Sequence, residues 1–269
     1  MTKETDVESI VATIKQSKKY RDTHEETIRE LAIVALSRHR RPKDATKAVR
    51  KRLHSIMAPY LGDPDYEAVS AALATAFAAG DTEQIEKVCH DALYSHLSTR
   101  ERLPIMEDFY RQIFQVTGTP GRLLDIACGL NPLAFPWMSL PDSTEYVAYD
   151  IHEPRISFIN NYFHLQGLLQ LARVQDVALH FPQEKADAAL FLKEMPRFER
   201  NYPGTGRNFL KALRVKFLVI SFPTISTHGG RNLTGRYREF FRKLTDGFNW
   251  QITELMFEGE MVFIAEKPI

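Results

Sequence analysis

Three aspartates stand at the ends of hydrophobic, β-rich runs in the second half of the chain. Asp125 lies within "RLLDIACGLNP", Asp150 ends "EYVAYD" and Asp176 closes "LARVQDV". In doubly wound sheets ligands bind beyond the carboxyl ends of the strands, where an acid that ends the second strand accepts hydrogen bonds from ribose hydroxyls. Asp176 is placed to accept the amino group of an adenine. Each aspartate alone could be a helix cap or a turn residue, but three on consecutive strands favour a nucleoside site.

The turn after the first of these runs is tight but lacks the glycines that bind a pyrophosphate. The turn comprises Ala127 to Gly129. The sequence contains no G-x-G-x-x-G, P-loop, G-x-S-x-G or H-E-x-x-H pattern. Cys89 and Cys128 are the only cysteines, too few for a disulfide framework or a cysteine-based zinc site, and we expect no metal. A ligand that needs a ribose-binding acid and a glycine turn, but no pyrophosphate cradle, is S-adenosylmethionine.

The elements that position these residues are short strands separated by segments of helix length. This spacing predicts an α/β fold with a doubly wound, mostly parallel sheet. Two further strands about Gly259, in "WQITELMFEGEMVFIAEK", predict a seven-stranded sheet that ends in an antiparallel hairpin. Residues 1–103 instead show helical periodicity, with Asp65 and Asp81 as caps and Gly80 as a stop. We therefore expect a helical domain over 1–103 and a ligand-binding domain over 104–269.

Basic residues are concentrated in the first 58 residues, which hold 14 Lys and Arg against 8 Asp and Glu, although the whole chain has a net charge of +1. Arg38–Arg52, "RHRRPKDATKAVRKR", contains eight Lys and Arg and one acid. Such a block attracts polyanions, and a solvated helix face is the alternative. In "KKYR", Tyr20 lies among charges and could stack on RNA bases. The residues predicted to bind RNA in this region are Lys18, Lys19, Tyr20, Arg21, Arg50, Lys51 and Arg52.

The N-terminus and the hydropathy pattern indicate a cytoplasmic protein. "MTKETDVESIVATIKQ" lacks the apolar region of a signal peptide, and no apolar run reaches the ~18 residues that span a bilayer. We expect no membrane contact, and no obligate protein partner is evident.

Several motifs resemble those of one known family. "LLDIACGLNP" resembles the first cofactor motif of the aminoglycoside-resistance 16S rRNA (guanine(1405)-N7)-methyltransferases, and "SFPTISTHGGRNLTGR" is similar to their loop after the fifth strand. "SKKYR" and "STRERL" agree with their N-terminal elements, so the resemblance covers almost the whole chain. It implies a class I S-adenosylmethionine-dependent methyltransferase domain, preceded by a helical domain that docks on the 30S subunit. It also implies resistance to aminoglycosides of the gentamicin and kanamycin type.

The resemblance also assigns residues to the cofactor. Arg102 in "STRERL" matches the family's cofactor-contacting arginine, whose guanidinium could pair with the methionine carboxylate in a bidentate way, and Arg100 is the competing choice. The first motif reads "ACG" where G-x-G is common, so Ala127 and Gly129 are expected to contact the cofactor through their backbone. The expected cofactor-binding residues are Arg102, Asp125, Ala127, Gly129, Asp150, Ile151, Asp176, Val177 and Leu192.

The target atom that the resemblance implies, guanine N7, determines what the residues that contact the RNA substrate must do. Guanine N7 carries an unprotonated lone pair at neutral pH, so methyl transfer requires placement rather than a strong base. The guanine must also leave its stack. The candidates that would hold it are Lys193, Glu199, Arg231 and Arg236, the last also an RNA contact. A cation donates to guanine O6, and Glu199 would accept from N1 and the exocyclic amine, although each is alternatively a surface charge.

Two other functions remain open from the sequence. A small-molecule S-adenosylmethionine-dependent methyltransferase would use the basic helices only for solubility. A non-catalytic ribosome-binding protein would keep a vestigial pocket and show no turnover.

The response to salt separates the RNA-modifying enzyme from the small-molecule enzyme. Neutralising Lys18, Lys19, Arg50, Lys51 and Arg52 should lower the affinity for 30S subunits and flatten its dependence on salt by about one slope unit per lost phosphate contact. Cofactor affinity should stay unchanged. A control variant in which each Lys is exchanged for Arg and each Arg for Lys should bind 30S subunits as the parent does. A neutral variant that binds 30S subunits as tightly as the parent would support the solvated helix face.

Overall fold

The computed structural model describes residues 3–57, 62–226 and 230–268. Within them, seven strands form one sheet in the order β3-β2-β1-β4-β5-β7-β6. The strands are β1 Arg122–Ile126, β2 Glu145–Asp150, β3 Ala172–Val174, β4 Lys185–Leu192, β5 Arg214–Pro223, β6 Gln251–Phe257 and β7 Glu260–Glu266. Strands β1 to β5 pair in parallel, whereas β7 is antiparallel to both β5 and β6. The predicted parallel sheet with a terminal antiparallel hairpin is confirmed.

The strand order reverses between β1 and β4, which makes the carboxyl ends of these strands the expected binding crevice. Asp125 pairs with Ala148 on one side and Leu190 on the other, at the centre of the sheet. Leu123 and Leu124 are fully buried on opposite faces, as expected for a strand that is covered on both sides.

Strand β3 is shorter than its sequence predicts. It comprises three residues that pair with β2, whereas the hydrophobic run extended from 171 to 177. At the open edge, the Asn160 side chain both donates to and accepts from the backbone of Ala172, which replaces a further strand. Asp176 therefore lies two residues beyond the strand, in a turn where its carbonyl accepts from Leu179 and His180.

The described helices before the sheet follow the predicted stops and caps. They are α1 Lys3–Lys15, α2 Glu25–Arg38, α3 Pro42–Met57, α4 Tyr66–Ala79, α5 Thr82–Ser95, α6 Leu97–Arg102 and α7 Met106–Thr117. The Asp65 carboxylate accepts from the N–H groups of Glu67 and Ala68, and Gly80 ends α4 at φ +63°. Asp81 caps α5 through the Gln84 N–H. Among the described helices, none is long and apolar enough to cross a membrane.

The later helices are α8 Glu153–Leu165, α9 Met195–Asn201, α10 Gly206–Ala212 and α11 Thr234–Thr245. Residues of α4, α5, α7 and α8 share one core with the sheet, and residues of α9, α10 and α11 cover its other face. Helices α1, α2 and α3 enclose a separate small core around Ile14, Ile28 and Leu53. The domain division at residue 103 stays a prediction.

A short segment between α1 and α2 attaches the first three helices to the sheet's binding edge. The His24 N–H donates to the Ile151 carbonyl at 2.7 Å, and the Glu153 N–H donates to the Asp22 carbonyl at 2.9 Å. Lys15 Nζ lies 3.1 Å from Glu153 Oε1. The basic helices are thereby held beside the residues that follow β2.

Candidate active site at the carboxyl ends of the strands

Two cavities open at the carboxyl ends of the central strands, and Ala127 lines both. The wide cavity has a volume of about 670 Å³, and its wall includes Met57, Asp150, Ile151, Asp176, Val177, Phe198, Asn201 and Tyr202. The narrow cavity has a volume of about 290 Å³, and its wall includes Thr99, Arg102, Asp125, Cys128, Asn131 and Leu192. Every residue predicted to bind the cofactor, except Gly129, lies in one of these walls.

Ala127 joins the cavities with an unusual backbone. Its φ is +52°, in the left-handed region that residues with a side chain rarely adopt. This turn follows β1 directly and brings the Gly129 N–H to Asp150 Oδ2 at 3.0 Å. Gly129 thus acts on the site through Asp150.

The Asp150 carboxylate is held by three donors. Besides Gly129, the His152 N–H and Arg155 Nη1 donate to Oδ1 at 2.9 and 3.0 Å. A carboxylate has about four acceptor positions. One position therefore remains for a hydroxyl of a ligand in the wide cavity.

Arg155 extends this network to the helices before the sheet. Its Nη2 donates to Asp63 Oδ1 at 2.8 Å, and Asp63 also contacts His96 Nε2 at 2.7 Å. Burial opposes the Asp63 charge, but His96 and the Arg155 guanidinium outweigh it and hold the pKa of this carboxyl well below its usual range. Sequence reasoning missed both Asp63 and Arg155, because neither ends a strand or belongs to a motif.

The narrow cavity contains a second buried acid. Asp125 is 1% exposed, and its Oδ2 accepts from Asn131 Nδ2 at 2.9 Å and from the Tyr146 hydroxyl at 2.8 Å. Burial is the largest influence and raises the pKa of Asp125 to about 7. The other end of the Asn131 amide, Oδ1, accepts from Arg102 Nη1 at 3.0 Å.

Arg102 is buried beside this pair. Its guanidinium binds Glu260 in a bidentate manner, with Nη2 to Oε1 at 2.7 Å and Nε to Oε2 at 3.2 Å. Arg100, the competing choice, lies over the Tyr94 ring at 5.3 Å and lines neither cavity. Glu260 is the first residue of β7, directly after the hairpin turn at Gly259. No motif in the sequence marked it as a functional residue.

Lys193 lies where β4 ends, at φ +58°. Its Nζ is 2.8 Å from Glu101 Oε2 and 3.1 Å from Glu260 Oε2, so Glu260 contacts both Arg102 and Lys193. Because a lysine at positive φ is strained, the bond from its N–H to Ser221 Oγ at 3.0 Å helps to fix this backbone.

Neither Lys193 nor the other residues predicted to hold the target base are among the residues that line the two cavities. Glu199 accepts the N–H groups of Gly204 and Gly206, one on each carboxylate oxygen, and its contact with a base stays a prediction. Arg231 and Arg236 are exposed, in the loop after β5 and in α11. Thr227, His228 and Gly229 of the "SFPTISTHGGRNLTGR" motif lie outside the described residues.

Most of the residues predicted to bind RNA are exposed to solvent. Lys18, Lys19, Arg21, Arg50 and Lys51 are exposed, and Lys19 Nζ lies 3.1 Å from His54 Nδ1 of α3. This contact brings the two basic clusters together.

Two of the predicted RNA contacts are less accessible. Arg52 is half-buried over the Tyr202 ring at 5.9 Å. Tyr20 is 7% exposed and packs into the core of α1, α2 and α3. The prediction that Tyr20 stacks on bases is therefore corrected, because its ring stabilises the helices instead.

The two cavities together suit a nucleoside joined to an amino acid. The wide cavity combines apolar side chains with the Asp150 acceptor, as a nucleoside requires. The narrow cavity places the Arg102 cation near the Asp125 carboxyl, groups that complement a carboxylate and an ammonium group. The two cavities share Ala127 as a wall residue, so the two ends of one ligand could lie on either side of it.

Comparisons with known proteins agree on one family. The family model described as "Ribosomal RNA methyltransferase (FmrO)" matches residues 16–264. A 16S rRNA (guanine(1405)-N(7))-methyltransferase of Frankia casuarinae is 35% identical over 268 residues, covering 98% of this chain and 92% of the relative. One of Micromonospora rosea is 32% identical over 265 residues, covering 97% of each. The crystal structure of 16S rRNA methyltransferase RmtF in complex with S-adenosyl-L-homocysteine has a TM-score of 0.84 and 30% identity, covering 98% of both chains.

The buried Asp125 carboxyl makes stability depend on pH. Because its pKa is about 7 in the folded chain against an ordinary 3.8, its contribution is complete below about pH 3.8 and is lost as the pH rises through about 7. Asp125→Asn removes this titration. The free energy of unfolding of the variant, minus that of the parent, should rise by about 1–4 kcal/mol between about pH 4 and pH 8, as urea titrations would measure.

An exposed aspartate provides the matched control. Asp142→Asn, measured over the same pH range, shows the effect of exchanging an exposed aspartate for asparagine. A constant difference for Asp125→Asn would contradict the raised pKa.

Proposed function

The chain belongs to the FmrO family of ribosomal RNA methyltransferases, and we propose that it transfers a methyl group from S-adenosylmethionine to N7 of guanine 1405 in 16S rRNA of the 30S subunit. The observation that carries the proposal is the pair of cavities meeting at Ala127, whose polar groups complement the two ends of this cofactor. The relatives whose names state this activity match nearly the whole chain.

The residues of both cavities fit S-adenosylmethionine, which when bound supplies an electrophilic methyl group. Asp150 would accept from a ribose hydroxyl with the one acceptor position that its three protein donors leave. Arg102 would donate to the methionine carboxylate, and Asp125 would accept from the ammonium group. The Ala127 turn has a small side chain and a left-handed backbone, which permit close approach to the centre of the cofactor.

On the substrate side, Lys193 is the best-placed candidate to hold the guanine. Its side chain is 9% exposed, and its ammonium group lies at the end of β4 between the carboxylates of Glu101 and Glu260. An ammonium group can donate to guanine O6. We assign Glu199 to the loop that begins at Tyr202, since both of its oxygens are engaged there. Arg231 and Arg236 are exposed and would contact the RNA around the extruded base.

Methyl transfer to N7 needs orientation more than proton transfer. The nucleophilic lone pair is free at neutral pH, so no residue has to remove a proton before attack. Holding the reacting atoms in line can supply roughly 7–11 kcal/mol of the barrier in favourable cases. The described site fits this demand, because its charged groups are fixed by buried ion pairs.

In this proposal the basic helices form the surface that docks on the 30S subunit. Residues 1–103 would dock on the 30S subunit in the cytoplasm, with Lys18, Lys19, Arg50 and Lys51 contacting phosphates. A methyl group on N7 adds a fixed positive charge and removes an acceptor from the guanine. Polycationic aminoglycosides of the gentamicin and kanamycin type would then bind the decoding site less well, which gives resistance.

Loss of the Asp150 carboxylate should weaken cofactor binding. Asp150→Ala removes a charged acceptor for the ribose, so the affinity for S-adenosylhomocysteine should fall by about 1–3 kcal/mol by titration calorimetry on folded protein. Asp142→Ala, an exposed aspartate, should bind as the parent does. Unchanged affinity of Asp150→Ala would remove Asp150 from the site.

The methylated atom tests the function itself. Purified chain, labelled S-adenosylmethionine and 30S subunits should give one labelled base in 16S rRNA. Reductive cleavage at 7-methylguanine followed by primer extension should produce a single new stop at guanine 1405. A methyl group on a neighbouring adenine would contradict the assigned target, and methylation of small molecules alone would favour the small-molecule enzyme.

A further inference from the structure

A groove lies between the basic helices and the end of α9. It has a volume of about 900 Å³, and residues of α2 and α3 form one side of it while Arg200 and the residues that follow form the other. Tyr202 lines both the groove and the wide cavity, and its hydroxyl donates to Asp176 Oδ2 at 3.2 Å. No residue assigned to the cofactor or to the target guanine lines the groove.

Three arginines line this groove without a counter-charge. Arg38 and Arg200 are exposed, and Arg52 is half-buried. Burial lowers the pKa of Arg52, and the charges of Arg200 and Arg38 lower it further, so both lie close enough to repel it. In the part of the chain that the structure describes, none of the three forms an ion pair with a carboxylate. By contrast, the exposed Arg238 and Arg242 each bind a glutamate.

A phosphate complements these cations. A guanidinium group binds a phosphate through two parallel N–H donors, and a bound anion would offset the repulsion between neighbouring arginines. The volume of the groove lies within the range of sites that enclose a small ligand. The arginines therefore favour a single phosphate group held in the groove.

The rest of the groove wall is apolar. It includes the exposed Val34 and half-buried Leu31 of α2, the half-buried Ala48 of α3 and the exposed Pro203 after α9. A paired duplex would present only its phosphates and would leave this wall uncovered. A base that has left its stack packs against protein side chains and arginine planes. The combination of cations and apolar wall thus suits one unstacked nucleotide.

We propose that this groove binds one unstacked nucleotide of 16S rRNA, with its phosphate at Arg38, Arg52 and Arg200 and its base against the apolar wall. The proposal rests on the proposed function, since it takes rRNA as the polyanion. Ala127, where the two cofactor cavities meet, does not line the groove, so the occupant is not the methylated guanine. A second nucleotide held here would fix the register of the RNA against the site.

The salt dependence of 30S binding tests whether the arginines share one phosphate. In the full chain, a double variant that combines Arg38→Gln and Arg200→Gln should bind 30S subunits about tenfold more weakly than the parent. Because both arginines would contact the same phosphate, the salt slope should fall by about one unit, whereas contacts with two separate phosphates would lower it by about two.

Two further double variants control for charge and structure. Arg38→Lys with Arg200→Lys keeps both charges and should keep the salt slope. Arg111→Gln with Arg214→Gln removes the same charge from exposed arginines that line neither the groove nor the cavities, and it should bind 30S subunits as the parent does. Titration calorimetry with S-adenosylhomocysteine verifies that each variant is folded.

Acylation of the ribose 2′-hydroxyls of 16S rRNA identifies the occupant. With the parent bound, one nucleotide other than guanine 1405 should change its reactivity. The double variant of Arg38→Gln and Arg200→Gln, at saturating concentration, should return that nucleotide to its reactivity in free 30S subunits.

The outcomes separate this assignment from the proposed function. A double glutamine variant that binds as tightly as the parent, loses about two slope units or gives the parent's acylation pattern would overturn the nucleotide site. Methylation of guanine 1405 by the parent would then still support the proposed function. A parent that does not bind 30S subunits would contradict the proposed function and this assignment together.

Discussion

The site depends on the buried carboxylate of Asp150 and the three donors that hold it. Those donors come from the turn after β1, from the backbone after β2 and from α8, so one side chain fixes three separate segments. Arg155 continues the network to Asp63, which lies between α3 and α4. Removing one partner of such a buried pair leaves an uncompensated charge, at a cost of about 3–5 kcal/mol. The left-handed turn at Ala127, and with it the junction of the cavities, is built on this arrangement.

A second buried network links Arg102 in the narrow cavity to Lys193 at the end of β4. Glu260 binds the Arg102 guanidinium and lies 3.1 Å from Lys193 Nζ. The antiparallel hairpin therefore does more than close the sheet, because the first residue of β7 carries the carboxylate that positions both cations. The contacts of Asp22 and His24 with the residues after β2 add a third connection. They place the basic helices beside the wide cavity.

Local sequence patterns were sufficient to predict most of the helices and strands. Hydrophobic runs predicted the strands, and Asp65, Gly80 and Asp81 marked helix ends through contacts within a few residues. The predictions were wrong where contacts between distant segments determine the local structure. Strand β3 ends at Val174, three residues before the end of the hydrophobic run, and Tyr20 packs in the helical core instead of lying on the basic surface.

The candidate site was predictable only in part, for the same reason. Asp125 and Asp150 belong to strand-end patterns, so their place in the cavities followed from the sheet. Arg102 was found through the family resemblance, whereas its partner Glu260 lies 158 residues away in sequence and has no local signature. Asp63 and Asn201 likewise gain their surroundings only when distant segments pack together.

In the proposed function these fixed charges would place a guanine whose N7 is already a nucleophile, so that catalysis would require no general base. The most direct measurement is the single-turnover rate of methyl transfer to 30S subunits at saturating enzyme and cofactor, followed across about pH 6 to pH 9. The rate should be independent of pH over this range. A rate that rises roughly tenfold per pH unit, as deprotonation of a required base would produce, would contradict the account.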